Sequence, residues 1–344
     1  MKIESKNINK SNLKVLITTK FGLDIISIQF NPMGEDSYSY IIKDSERKKY
    51  FVKIYTRITE KGSIELSEKN KVVNDLRETA GIKNIVYPLK ALNGKVVHKF
   101  NKYYLSVFSY IEGITKDLRE YTEEQITLTA KTLAEIHEST NKIDISKLQN
   151  DKFNKNYKDS FNLIFKAITN NNFKYNRYST TLKSLLLDNK RNIYKRLEKF
   201  NMLQNIIRKK NVKTFITHGD PNWANILIDR KGHIYFIDWD TIGLRPLEQD
   251  LLFFTGKIEE KFFLEYAKYR KSFNILPELF GYYAFVWDFQ EILEYSQRIL
   301  KTNESILQSK ADLKEVESYI TTKDDKSKFI SRMRELKDIV NKKL

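Results

Sequence analysis

The sequence predicts an α+β chain of two unequal lobes: a small antiparallel sheet with one main helix, followed by a larger, mainly helical portion. Three observations predict it. Short β-branched and aromatic runs separated by turn residues fill the first hundred residues, helical periodicity takes over after Gly113, and a strand–turn–strand signal returns at 213–240. The 344 residues, 41% hydrophobic and 13% aromatic, can bury two real cores, which excludes a disordered chain. The character change places the lobes at 1–110 and 111–344.

In order, Ile25–Phe30 is an apolar run that ends at Asn31-Pro32, with Gly34 beyond it. Tyr38–Lys43 and Tyr50–Tyr55 flank the charged turn 44–49, a hairpin signal. A helix is expected over 62–79, with Ile64, Val72, Val73 and Leu76 apolar and Gly81 near its stop. Val86–Ala91 and Lys95–His98 flank Asn93-Gly94 as two more strands, and Tyr103–Ile111 ends at Glu112-Gly113. Thr122 with Gln125 makes a capping box, followed by the helical face Ile126, Ala130, Leu133, Ala134 and His137. Residues 150–212 read as solvated amphipathic helices, and beyond 240 the chain reads as helix to its end, without an internal repeat.

Composition closes several function classes. With no cysteine, disulfides, thiolate nucleophiles and Cys-ligated zinc are excluded, and four histidines give a transition-metal site little support. No apolar run approaches the roughly 18 residues that span a bilayer, and the polar opening MKIESKNINKSNLK lacks a secretory pattern, so a cytoplasmic protein without a membrane partner is expected. Sixty-one Lys+Arg against 44 Asp+Glu leave +17. Such a balance suits an anionic partner, yet the charge is spread along the chain, as a Lys- and Asn-rich composition produces, and a nucleic-acid binder is the competing reading.

The densest chemical signal is Thr217-His-Gly-Asp-Pro-Asn-Trp-Ala-Asn-Ile-Leu-Ile228, then a turn at 229–232, the strand His233–Ile237 and Asp238-Trp239-Asp240. Strands Ile226–Ile228 and His233–Ile237 should pair as a hairpin, so Asn225 and Asp238 emerge at the same end, about 4.8 Å apart by strand spacing. An amide oxygen and a carboxylate converging there suit a hard cation such as Mg²⁺. Asp220, five residues before Asn225, has the place of the carboxylate that orients or deprotonates an attacking hydroxyl in phosphoryl transfer.

This segment resembles the catalytic loop and metal-binding Asp of the aminoglycoside phosphotransferase and choline kinase family, which has the protein-kinase-like fold. His218, Gly219, Asp220, Asn225, Ile237, Asp238, Trp239 and Asp240 supply every element of its pattern. Gly219 stands where protein kinases carry an Arg that reads a phosphorylated activation loop, which favours a small-molecule kinase using ATP and Mg²⁺. The resemblance extends to Lys53, in Phe51-Val52-Lys53-Ile54, as the lysine that pairs with nucleotide phosphates. It implies a partner Glu on the next helix, Glu68 with Glu65 as the alternative. Residues 31–37, with Gly34 and Ser37, resemble the phosphate-positioning loop, and Tyr104–Gly113 resembles the hinge, where Ser109 and Ile111 would offer backbone groups to adenine. Asp250 matches an Asp that braces the catalytic loop, and His218 is read as holding that loop; both are structural readings.

Within the family, Ile237–Phe254 is similar to spectinomycin phosphotransferases, in its Ile-Asp-Trp-Asp and Pro-x-Glu-x-Asp-Leu pattern. The implied acceptor is a hydroxyl of an aminoglycoside or aminocyclitol antibiotic, modified by a monomer or homodimer. Candidate substrate contacts are Trp239, Asp240 and, on a helix near 282–300, Tyr283, Trp287, Asp288 and Glu291, whose aromatic and acidic side chains suit a cationic sugar. Another small hydroxylated amine is the alternative acceptor.

Overall fold

The computed structural model describes residues 4–5, 7–32, 37–303, 305–321 and 326–343. Gly34 lies outside the described residues. The chain forms two compact units, one of residues 1–150 and 214–273, the other of 151–213 and 274–343. The expected lobe boundary at 110/111 falls inside the first of them.

The first unit begins with α1 (Lys10–Phe21), β1 (Ile25–Asn31), β2 (Ser37–Asp44), β3 (Lys49–Tyr55), α2 (Glu60–Glu78), β4 (His98–Phe100), β5 (Tyr103–Ser109), β6 (Gly113–Ile114) and α3 (Glu123–Glu138). The second unit contributes α4 (Tyr157–Thr169), α5 (Arg177–Asp188) and α6 (Lys190–Arg208). The chain returns to the first for β7 (Phe215–Thr217), β8 (Ile226–Asp229), β9 (Ile234–Phe236), β10 (Gly243–Arg245), α7 (Glu248–Leu251) and α8 (Glu259–Lys268). It closes in the second with α9 (Pro277–Gln297), α10 (Ile306–Thr321) and α11 (Lys326–Lys343). The fold is thus mixed α+β, with an N-terminal antiparallel sheet and a mainly helical C-terminal part.

The five-stranded sheet runs β1-β2-β3-β5-β4 with every pairing antiparallel. Period-2 alternation sorts β3. Val52 and Ile54 join a core with Leu13, Ile17 and Phe21 of α1, while Lys53 takes the other face. There its cross-strand neighbours are Ser39 and Ser106, both buried and small enough to leave a lysine room. Asn70 of α2 donates to Ser106 Oγ at 2.9 Å, so α2 covers the Lys53 face and α1 the opposite one.

Helix α1 is absent from the sequence reading because Val15, Ile17, Thr18 and Thr19 look like a strand. Its caps carry the signal: Asn9 accepts from the Asn12 N–H, and Gly22 closes the helix in the left-handed region at φ 71°. The strand expected over 86–91 also needs correction. It makes single bridges only, Pro88 with Phe108 and Ile85 with Phe236, since Pro88 has no N–H for a ladder. The turn at Asn93-Gly94 is there, closed by Ala91 N–H on the Lys95 carbonyl at 2.9 Å, but pairing starts only at His98. β10, inside the stretch expected to be helical, pairs with β7.

In the second unit α9 packs against α4, α6, α10 and α11. Phe280, Tyr282, Phe289 and Ile292 are fully buried there, with Phe200 of α6 stacked on Tyr282 at 5.2 Å between centroids. The helices of 150–212 bury one face each, through Phe161, Leu182, Leu186 and Phe200 among others. Among the described residues, no helix is long and apolar enough to cross a membrane.

Candidate active site

The hairpin expected downstream of Asp220 is present: Ile226 pairs with Phe236 and Ile228 with Ile234. One step beyond the ladder, Ile237 N–H donates to the Asn225 carbonyl at 3.0 Å, which sets Asn225 and Asp238 at the same end. Asp238 adopts φ 63°, a left-handed conformation that Asp tolerates better than most residues. Its carboxylate accepts the Asp240 backbone N–H, and Lys53 Nζ reaches it across the unit at 2.8 Å. The same ammonium lies 2.7 Å from Asp240 Oδ2, while Tyr55 hydroxyl donates to Asp240 Oδ1 at 3.2 Å.

One cation therefore serves two carboxylates. Burial would lower Lys53, but the Asp238 and Asp240 charges override it and hold the ammonium above its ordinary value. For Asp238, burial is the largest influence and raises the carboxyl, but the Lys53 charge and hydrogen bond, with the Asp240 N–H, together bring it below the usual value. For Asp240, burial wins and the repulsion of Asp238 adds to it, so that group is raised.

The loop that carries Asp220 is held from several directions. Asp250 accepts His218 N–H at 2.7 Å and Gly219 N–H at 2.9 Å. Gln249 side-chain amide donates to the Gly219 carbonyl, and Thr241 hydroxyl to the His218 carbonyl at 3.0 Å. Burial keeps both neighbouring histidines below the ordinary imidazole value, so they stay neutral. His218 Nε2 donates to the Ile237 carbonyl at 2.9 Å and Nδ1 accepts from Asp220 N–H at 3.3 Å, linking the loop to the strand that carries Asp238. His137 Nε2 donates to Asp250 at 3.1 Å, and its Nδ1 accepts the Tyr266 hydroxyl at 2.6 Å. Gly219 has φ 93°, and a Cβ there would sit 2.3 Å from the Thr241 carbonyl oxygen.

Asp220 itself is gripped by two amides. Asn222 Nδ2 donates to Oδ1 at 2.7 Å, and Asn225 Nδ2 donates to Oδ2 and to the Asp220 carbonyl, both at 2.9 Å. Burial nevertheless pushes the carboxyl above its ordinary value, against the pull of Asn222, His218 and Asn225. Asn225 directs its N–H groups at Asp220, which leaves its Oδ1 as an oxygen donor on a residue whose backbone carbonyl takes the Ile237 N–H just before Asp238. That oxygen and an ionised carboxylate fit a hard divalent cation that also binds phosphate oxygens.

One expected pairing needs correction, and other expected residues are placed as follows. Glu68 does not pair with Lys53; it bonds Lys71 at 2.8 Å, and Glu65 bonds Lys69 at 3.0 Å. The reason is helical phase: at about 100° per residue, the α2 side that buries Leu66, Asn70 and Val73 turns Glu68 away, and it is Lys69 that reaches the Asp240 carbonyl at 3.1 Å. Trp239 is 3% exposed, donates to the Val86 carbonyl at 2.9 Å and packs on His218. Ser109 N–H is bonded to the Tyr87 carbonyl at 2.9 Å, and Ile111 lies in the irregular link between β5 and β6. Ser37 is buried at the start of β2, opposite Tyr55.

The α9 candidates all belong to the second unit and have partners within it. Tyr283 hydroxyl donates to Asp151 at 3.0 Å and Trp287 Nε1 to the Tyr319 hydroxyl at 3.1 Å. Asp288 lies between Arg196 and Lys326, and Glu291 is hydrogen-bonded by Tyr295. Tyr55, Lys69, Asn222 and Tyr266 escaped the sequence reading. Of these only Asn222 carried a local signal, the Asp-Pro-Asn turn.

The sequence pattern of the phosphotransferase enzyme family matches residues 27–272. Among curated proteins, "Protein StrN" of Streptomyces griseus is 24% identical over 292 residues, 80% of each chain. Among solved structures, spectinomycin phosphotransferase APH(9)-Ia with ADP and spectinomycin superposes with a TM-score of 0.75 at 20% identity, covering 98% of this chain and 99% of that one. Choline kinase LicA from Streptococcus pneumoniae gives 0.52 at 17% identity over 91% and 99%. At these identities the structures establish the fold.

Proposed function

We propose a specific reaction for this chain, which belongs to the phosphotransferase enzyme family: transfer of the ATP γ-phosphoryl group to a hydroxyl of spectinomycin or a closely similar aminocyclitol. The observation that carries the reaction class is the convergence, within one compact unit, of Lys53 on Asp238 and of Asn225 on Asp220. The acceptor reading rests on the Ile237–Phe254 pattern and is supported by the likeness in fold to a spectinomycin-bound phosphotransferase.

In this mechanism residues 1–110 bind nucleotide and Lys53 draws the phosphates toward β3. Asn225 Oδ1 and Asp238 would hold Mg²⁺, and the chemistry it would supply is charge neutralisation at the phosphate oxygens. Asp220, its carboxylate aimed by Asn222 and Asn225, accepts the hydroxyl proton as the acceptor oxygen attacks phosphorus. Asp250 and His218 keep the loop in place. Phosphorylation adds about −1.5 to −2 charges to the drug, which would protect a cytoplasm that contains the enzyme.

The test is incubation of purified protein with Mg-ATP and spectinomycin, read by mass spectrometry. One added phosphoryl group, absent with Asp220→Ala, is the expected result. No mass shift refutes spectinomycin; turnover of kanamycin or choline instead would move the acceptor to another hydroxylated amine. No turnover with any acceptor, combined with steeply salt-dependent RNA binding, would refute the kinase.

A further inference from the structure

Of the side chains expected to stack on the acceptor, Tyr283 is buried and Trp287 half-buried, while a more exposed indole lies in the catalytic loop. Of the three tryptophans, Trp239 is buried with its N–H on Val86, and Trp287 donates to Tyr319 inside the second unit. Trp223 is 45% exposed and sits between Asp220 and Asn225. We propose that Trp223 is the specificity-determining platform of the loop, on which the ring and protonated amine of the acceptor lie while the hydroxyl meets Asp220. The proposal rests on the kinase reading above and deepens it.

A lone exposed hydrophobic residue is ordinary on a protein surface; the way this one is held is what matters. Trp223 opens a short 3₁₀ turn whose cap, Asn222, accepts Ala224 N–H at 2.8 Å. Asn225 N–H closes back on the Asn222 carbonyl at 2.9 Å. The same two asparagines grip the Asp220 carboxylate, so the backbone under the indole and the proton acceptor form one braced piece. Three residues of chain span at most about 10 Å, within the reach of a fused aminocyclitol ring system. Trp is the strongest cation–π partner among the side chains, and its flat face also packs the C–H faces of sugar rings. A cationic, polyhydroxylated acceptor is the class of molecule that satisfies both.

The experiment pairs kinetics with native fluorescence. With Mg-ATP and spectinomycin, Trp223→Ala is expected to raise the acceptor KM roughly five- to thirty-fold. Its ATP KM should hold and kcat change by less than about threefold, while Trp223→Phe recovers most of the loss. Acceptor binding should quench indole emission in wild type and in Trp287→Phe but not in Trp223→Phe. Acceptor KM within twofold of wild type in Trp223→Ala, or quenching that survives in Trp223→Phe, overturns the proposal. If spectinomycin is not turned over, the same titrations with kanamycin and choline decide: quenching that depends on Trp223 supports the platform with a different acceptor, and no quenching by any of them overturns it.

Discussion

Two charge clusters, one in each compact unit, look alike in composition and differ in stoichiometry. In the first unit Asp238 and Asp240 share the ammonium of Lys53. In the second, Asp288 is shared by Arg196 and Lys326, and all three side chains are at least about 85% buried. The first arrangement sets two carboxylates against one ammonium, an excess of acid. In the second, both cations meet the same oxygen, Asp288 Oδ2. A cluster short of partners is where chemistry can enter; a cluster with partners to spare holds helices together.

That contrast can be broken at several points. The largest effect is expected at Asp220, where Asp220→Ala should lower kcat by about 10²–10⁴-fold with ATP affinity preserved, as measured by nucleotide titration. Retained turnover would remove Asp220 from the reacting atoms. Next comes the second cluster. Asp288→Ala removes the carboxylate that Arg196 and Lys326 share, and breaking such a buried pair costs about 3–5 kcal/mol. Denaturant unfolding should register that loss while the acceptor KM of the folded variant stays put; a selective rise in KM at intact stability would restore Asp288 as a substrate contact.

In the first cluster, Asp238→Ala and Asn225→Ala should both raise the Mg²⁺ concentration needed for half-maximal rate, Asp238→Ala more, since a carboxylate brings a full charge and an amide only a dipole. Equal, unshifted metal titrations would separate these residues from the cation.

The smallest effects concern protons. Burial raises the Asp220 carboxyl above the usual value near 4, so kcat should fall with acid at a pH above that value. Asn222 pulls it down, and Asn222→Ala should therefore move the acid limb upward; a downward shift would contradict the hydrogen bond. For stability the sign is the reverse. A carboxyl raised on folding contributes stability below its unfolded pKa and loses it as pH rises through the folded one. Asp220→Asn should then melt higher at neutral pH while losing turnover.

The catalytic hairpin was legible because its information is local: a turn, two short strands and fixed spacing put Asn225 and Asp238 together without reference to the rest of the chain. Lys53 was legible as a charge interrupting an apolar strand. What failed is what depends on phase and distance. Helical spacing alone could not tell that α2 turns Lys69 inward and Glu68 outward. Nor could an amphipathic pattern on α9 reveal that Asp288 is met by Arg196, 92 residues away in sequence. Helix α1 was lost to the β-branched run 15–19, although its Asn9 and Gly22 caps were in plain view.

The close approach at Gly219 also closes an evolutionary route. With 2.3 Å between a would-be Cβ and the Thr241 oxygen, every substitution at this position must first move the segment that follows Asp238. An arginine of the kind that lets protein kinases answer to activation-loop phosphate would clash here unless the Thr241 segment moved with it. The backbone at Gly219 is thus tied to the Thr241 carbonyl, and the loop that carries Asp220 cannot shift there without moving the segment after Asp238.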